Sequence, residues 1–108
     1  MRHWIAICLL LAATPAHALT GVQLYRNCIE AKQNSVQDLS CISYVRGFID
    51  GMAMGGKGHF CPPDIGISTD RGRLVAEKYL RDHLEDLHID AGLLLGSAFT
   101  KAFPCTSN

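Results

Sequence analysis

Cys28, Cys41, Cys61 and Cys105 most limit what this chain can fold into. They are the cysteines that remain once MRHWIAICLLLAATPAHA is set aside, and that opening segment reads as a secretory signal. It has Arg2 and His3 at its start, an apolar run from Trp4 to Ala13, and Ala16-His17-Ala18 as a small-x-small cleavage site. Cleavage after Ala18 is expected to leave one exported domain, residues 19–108, ninety of the 108. A chain of that size buries only roughly 60% of its unfolded surface, so cross-links matter to it. An even cysteine count in a small exported chain reads as two disulfides. Three pairings are possible. Cys28 with Cys41 and Cys61 with Cys105 is favoured, because the first joins two neighbouring helices and the second ties the central loop to the C-terminus. In the chain-entropy account the two closures contribute roughly 3 and 4 kcal/mol. A metal site is the competing reading, but there is no C-x-x-C pair and His59-x-Cys61 supplies too few ligands. No metal or other cofactor is expected.

The periodicity is helical throughout, and the expected fold is all-α, a compact bundle of four to five helices. Thr20 reads as the N-cap of a first helix with Val22, Tyr25, Cys28 and Ile29 on its inner face. Asn34 and Ser35 read as a turn. A second helix runs from near Gln37 to Met54, with Ile42, Val45, Ile49 and Met52 as an apolar stripe broadened by Cys41, Tyr44 and Phe48. Gly47, Gly51 and Gly55 recur along it, each costing about 1 kcal/mol relative to alanine, and close approach of another helix is the expected compensation. Arg46 and Asp50 interrupt the same segment, so no membrane span is expected in the mature chain. Ser68 or Thr69 should cap a third helix that turns Leu74, Val75, Tyr79 and Leu80 inward and leaves Arg71, Arg73, Glu77, Lys78 and Arg81 in water. A fourth helix, from about Leu87 to Ala102, carries Leu94, Leu95, Ala98, Phe99 and Ala102 as core, and Phe103-Pro104-Cys105 closes the fold.

Two stretches invite a chemical reading. GMAMGGKGHFCPP, from Gly51 to Pro63, matches most of a phosphate-binding G-x-x-x-x-G-K-[ST] loop, but Gly58 stands where the magnesium-binding hydroxyl belongs. A helix precedes it instead of a strand, and an exported chain meets no ATP pool. Lys57 to Phe60 therefore reads as an exposed loop pinned by Cys61 and stiffened by Pro62 and Pro63. DHLEDLHID, Asp82 to Asp90, packs two histidines among four carboxylates, but His83 and His88 are five residues apart and do not share a helical face as in H-E-x-x-H. It reads as a polar junction between helices. No serine sits in a nucleophile-elbow context, and oxidised cysteines offer no thiolate, so no enzyme is expected. With nine basic and ten acidic side chains after the signal, the chain lacks the basic excess of a nucleic-acid binder.

Cys28, then Cys41-Ile-Ser-Tyr44-Val-Arg-Gly47-Phe-Ile-Asp50-Gly51, then Cys61-Pro62-Pro63, Tyr79-Leu80-Arg-Asp-His83-Leu-Glu85, and Ala98 to Phe103-Pro104-Cys105 follow one another in a distinctive order. This series resembles the Rap/Tai family of immunity proteins over nearly the whole mature chain. The resemblance implies a small, exported, helical, disulfide-containing inhibitor, often a homodimer, that binds a cognate peptidoglycan amidase effector of type VI secretion and protects its owner in the periplasm. Leu84 departs from the pattern, which often has proline after His83.

Blocking a cleft takes a rigid protruding element and a complementary rim. Two elements qualify as candidate partner-binding surfaces: the loop Lys57-Gly58-His59-Phe60, with one aromatic anchor, and the acidic corner Glu85, Asp86 and His88. A second reading is an effector-less periplasmic helical protein, such as an acid-stress holdase that opens when its carboxylates and histidines take up protons.

Overall fold

The computed structural model describes residues 18–55 and 60–105. Four helices carry the described chain: α1 (Gly21–Tyr25), α2 (Val36–Met54), α3 (Thr69–Asp82) and α4 (Ala91–Ala102). There are no strands among the described residues, only an isolated antiparallel bridge between Thr20 and Asp90. The fold is all-α, and both disulfides take the favoured pairing, Cys28–Cys41 and Cys61–Cys105.

α1 starts where a capping box satisfies its first donors. The Gln23 N–H donates to Thr20 Oγ1 at 3.2 Å, and Gln23 Oε1 accepts from the Thr20 N–H at 2.9 Å. The helix then widens into one π-helical stretch, Arg26–Glu30. Gly21, Leu24 and Cys28 form its inner face, whereas Val22 is at the surface, contrary to the expected stripe. Gly21 sets that phase. A Cβ there would collide with Leu94 Cδ1 and stand 2.6 Å from Leu87 O, so only glycine lets α1 sit this close to the start of α4. Tyr25 and Ile29 are half-buried against the core.

The α1–α2 turn holds Asn34 at φ 65°, and the Ser35 hydroxyl caps α2 by accepting from the Asp38 N–H at 3.1 Å. α2 buries Cys41, Val45 and Ile49 at four-residue steps. The expected close approach along Gly47, Gly51 and Gly55 is not found. Nothing lies within 4 Å of a Cβ at Gly47 or Gly51, and one at Gly55 meets only its own helix. The glycine that admits another helix is Gly72 of α3, where a Cβ would meet Ile49 Cδ1 at 2.6 Å and Val45 Cγ1 at 3.1 Å.

Gly72, Ala76 and Leu80 are therefore the inner face of α3, and its small residues bring it onto α2. Leu74, off that line, is exposed, while Arg73 and Glu77 are partly buried instead of fully wet. Arg73 pairs with Asp38, which is 4% exposed, and with Glu77 (2.6 and 3.1 Å), and it also donates to Cys28 O. A charge at position 38 of α2 is tolerated because the guanidinium and the Asn34 N–H both meet it.

α4 begins at Ala91, not Leu87, because a 3-10 turn over Leu84–Asp86 and a short turn and bend after it take up the chain between. Leu94, Leu95, Ala98 and Phe99 are buried as expected, but Ala102 is exposed. Phe99 is the centre of an aromatic group, with ring centroids 5.4, 5.5 and 6.0 Å from those of Phe48, Phe60 and Phe103.

Candidate functional site

Of the loop candidates, Lys57 and His59 lie outside the described residues. Phe60 is 7% exposed and packs on Phe48 and Phe99, so it is not the protruding anchor that was expected. A phenylalanine beside a half-cystine is drawn inward because burying its ring stabilises the fold more than exposing it. It lies instead on the floor of a cleft between α2 and α4, about 600 Å³, lined also by Phe48, Met52, Gly92, Leu93 and Gly96.

What protrudes is the turn that follows. The Gly66 N–H donates to Pro63 O at 2.8 Å and closes it, and Gly66 takes φ 80°, which suits a residue without Cβ. Ile65 at its tip is 97% exposed. Both feet are fixed. On one side Cys61 is bonded to Cys105 and its N–H donates to Phe103 O at 2.8 Å. On the other, Ile67 is buried and its carbonyl accepts from Arg46 Nη1 at 3.1 Å. Arg46 also donates to Thr69 Oγ1 (3.3 Å) and Asp50 Oδ1 (2.7 Å), so one guanidinium joins α2, the turn and the start of α3. The result is a stiff turn with an apolar tip, which the sequence reasoning missed. Its signal was present in Pro62-Pro63-Asp64-Ile65-Gly66, turn residues on both sides of one isoleucine.

The corner residues Glu85, Asp86 and His88 lie in or just after the 3-10 turn, with Glu85 and His88 exposed and Asp86 half-buried. Their backbone is tied down by the chain's other end. The Gly21 N–H donates to Ile89 O, the Val22 N–H to Leu87 O and the Ala91 N–H to Leu19 O, each at 2.8 Å. His83 precedes the corner and stacks on Tyr79, 3.9 Å between centroids. Its Nδ1 is 2.8 Å from Tyr79 O; a carbonyl only accepts, so that nitrogen carries the proton. One turn back, the Lys78 ammonium donates to the Asp82 carboxylate and holds it below the usual carboxylate range. Among the described residues there is no group of three metal-ligating side chains, and no buried polar side-chain atom is left without a partner. The corner and the turn thus present charge and apolar surface on fixed backbone. Such an arrangement suits recognition.

A family model for Rap1a immunity proteins matches residues 20–105, from the N-cap of α1 to the last half-cystine, and so takes in all four helices and both disulfides. No curated protein matches the chain.

Proposed function

The chain belongs to the Rap1a immunity protein family, and from that premise we propose that it acts in the periplasm by binding a peptidoglycan amidase effector of type VI secretion and occluding its active-site cleft. The family match over residues 20–105 carries this reading. Two disulfides in so small a chain agree with an oxidising compartment and with export by the N-terminal segment. Inhibition of this kind needs no chemistry from the inhibitor. A rigid element that enters a cleft loses little conformational entropy on binding, which is what fixed backbone supplies.

Two surfaces meet that requirement. The turn offers Ile65 as an apolar tip between fixed feet, and the corner offers Glu85, Asp86 and His88 for a basic rim. The functional unit in this reading is a homodimer.

The test is a peptidoglycan-cleavage assay against a panel of type VI amidase effectors, using the exported, oxidised protein and recording its size by light scattering. One effector should be inhibited at equimolar protein. Ile65→Asp, and separately Glu85→Lys with Asp86→Lys, should each weaken inhibition at least about tenfold, the scale of losing one well-placed contact. Full inhibition by both variants would remove these surfaces from the account. Failure against every amidase, with unfolded proteins protected from aggregation instead, would remove the amidase reading.

A further inference from the structure

The two disulfides stand in opposite surroundings. Cys28 and Cys41 are 3% and 0% exposed, and the Asp38–Arg73 pair adjoins them, with Arg73 bonded to the Cys28 carbonyl. Cys61 and Cys105 are both exposed residues, joined across 44 positions between the surface turn and the segment that follows α4. Thiol–disulfide exchange requires a thiolate to reach a sulfur, so access separates two bonds of the same chemistry.

We infer that Cys61–Cys105 is a reducible clasp on the Ile65 turn, opened by a dithiol, either a small reductant or a Cys-x-x-Cys oxidoreductase, while Cys28–Cys41 stays oxidised. One thiolate of the dithiol attacks Cys61 Sγ or Cys105 Sγ, forms a mixed disulfide and expels the other sulfur as a thiolate, which takes up a proton. The second thiol of the dithiol then attacks the mixed disulfide. Two electrons have passed from the dithiol to the protein, leaving two protein thiols and an oxidised reductant.

What opens is local because the residues beside the clasp have their own anchors. Phe60 and Phe103 are both buried, Phe103 packs on Phe99 and lies under the Arg71 guanidinium at 5.7 Å, and no helix depends on the S–S bond for its hydrogen bonds. The foot of the turn at Ile67 remains held by Arg46. The foot at Cys61 keeps a single backbone bond to Phe103 O, and Pro104 and Cys105 are released. The end of the Ile65 turn at Cys61 therefore loses its covalent anchor and keeps only the Phe103 hydrogen bond and the packing of Phe60. Weaker docking of an effector in the reduced state follows only if the turn docks as proposed above; the order of reduction does not depend on that reading.

The experiment is graded reduction of the exported, oxidised protein with dithiothreitol at neutral pH. It is quenched by iodoacetamide, mapped by peptide mass spectrometry and followed in parallel by far-ultraviolet circular dichroism. No effector is present, so the outcome is separate from the inhibition assay. Cys61 and Cys105 should be alkylated at least about tenfold faster than Cys28 and Cys41, whose exposure needs a local opening of the core. The helical signal should be unchanged when only the first pair has reacted. Alkylation of all four cysteines at rates within tenfold, modification of Cys28 and Cys41 first, or loss of helix together with opening of Cys61–Cys105 would each overturn the inference.

Discussion

The same substitution, glycine to alanine, should have opposite signs in α2 and α3. At Gly47 a new Cβ has nothing within 4 Å, so Gly47→Ala removes only the backbone freedom of glycine in the unfolded chain and should stabilise by about 1 kcal/mol. At Gly72 the same helix-propensity gain is opposed by contact. The Cβ would stand 2.6 Å from Ile49 Cδ1, 3.1 Å from Val45 Cγ1 and 3.5 Å from Phe99 Cζ. Ile49 Cδ1 is the end of a side chain and can turn away, but Val45 is β-branched, holds one χ1 in a helix and is fully buried. Relief must come from α3 moving off α2, and because Val45 cannot yield the cost falls in the upper part of the overpacking range, about 2–3 kcal/mol. Net destabilisation by about 1–2 kcal/mol is expected at Gly72→Ala, a gap of about 2–3 kcal/mol between the two variants. In a domain of this size that separates their midpoints by at least about 8 °C. Thermal unfolding of the oxidised proteins followed at the helical band measures it. Gly72→Ala as stable as the native chain, or Gly47→Ala less stable, would refute the helix-contact reasoning.

Gly21→Ala should be harsher, about 3 kcal/mol, because the new Cβ meets Leu87 O at 2.6 Å and Leu87 Cα at 2.9 Å, backbone atoms that cannot turn aside. Faster amide exchange at Val22 and Ala91, whose N–H groups bond across this junction, is the accompanying readout. Asp38 links stability to pH. The Asn34 N–H and the Arg73 guanidinium hold its carboxyl below the ordinary value of 3.8, so as pH falls the unfolded chain takes up that proton before the folded one. The contribution is complete above about pH 5 and declines as pH drops through 3.8 toward the folded value. Asp38→Asn should lower the urea midpoint at pH 7 and flatten its fall between about pH 5 and pH 2, leaving a residual slope from Asp82. An unchanged acid limb would show that Asp38 is not what acid attacks.

Much of the fold was readable because its signals are local. Thr20 and Ser68 cap helices through bonds to residues three positions on, a relation that sequence spacing displays directly, and Ser35, read only as part of a turn, caps its helix in the same way. Of the expected Ile42–Val45–Ile49–Met52 stripe, Val45 and Ile49 are buried with Cys41 while Ile42 and Met52 are half-buried, and the cysteine pairing follows once neighbouring helices are assumed to be cross-linked. Periodicity identifies an apolar face but not what lies opposite it. The glycines of α2 and Gly72 of α3 look alike in sequence, yet only Gly72 faces Val45 and Ile49. Val22 was assigned inward by its three- and four-residue spacing and Leu74 with the apolar residues of its helix, and both are exposed because Gly21 and Gly72 fix the rotation of their helices. The burial of Arg73 beside Asp38 joins residues 35 positions apart and has no local signature.

The candidate site was less legible for a related reason. A docking element is defined by what the fold leaves uncovered, and exposure is settled last, after the core has taken the side chains it can use. Phe60 and Ile65 are both apolar residues near Cys61, and only the aromatic one reads as an anchor in the sequence. The aromatic one is also the better core residue: Phe48, Phe99 and Phe60 converge, while Pro62, Pro63 and Gly66 turn the chain so that Ile65 points away from them. The corner at Glu85 was recognisable as polar, but its stiffness was not, because that comes from Leu19, Gly21 and Val22 at the far end of the domain. Stiffness bears on function here, since a loop that must be ordered on binding gives up affinity that a preordered one keeps. The turn is clamped by a disulfide and the corner by backbone bonds. A reductant should therefore loosen the turn and leave the corner as it was, which makes the redox dependence of any inhibition a way to tell which of the two surfaces docks.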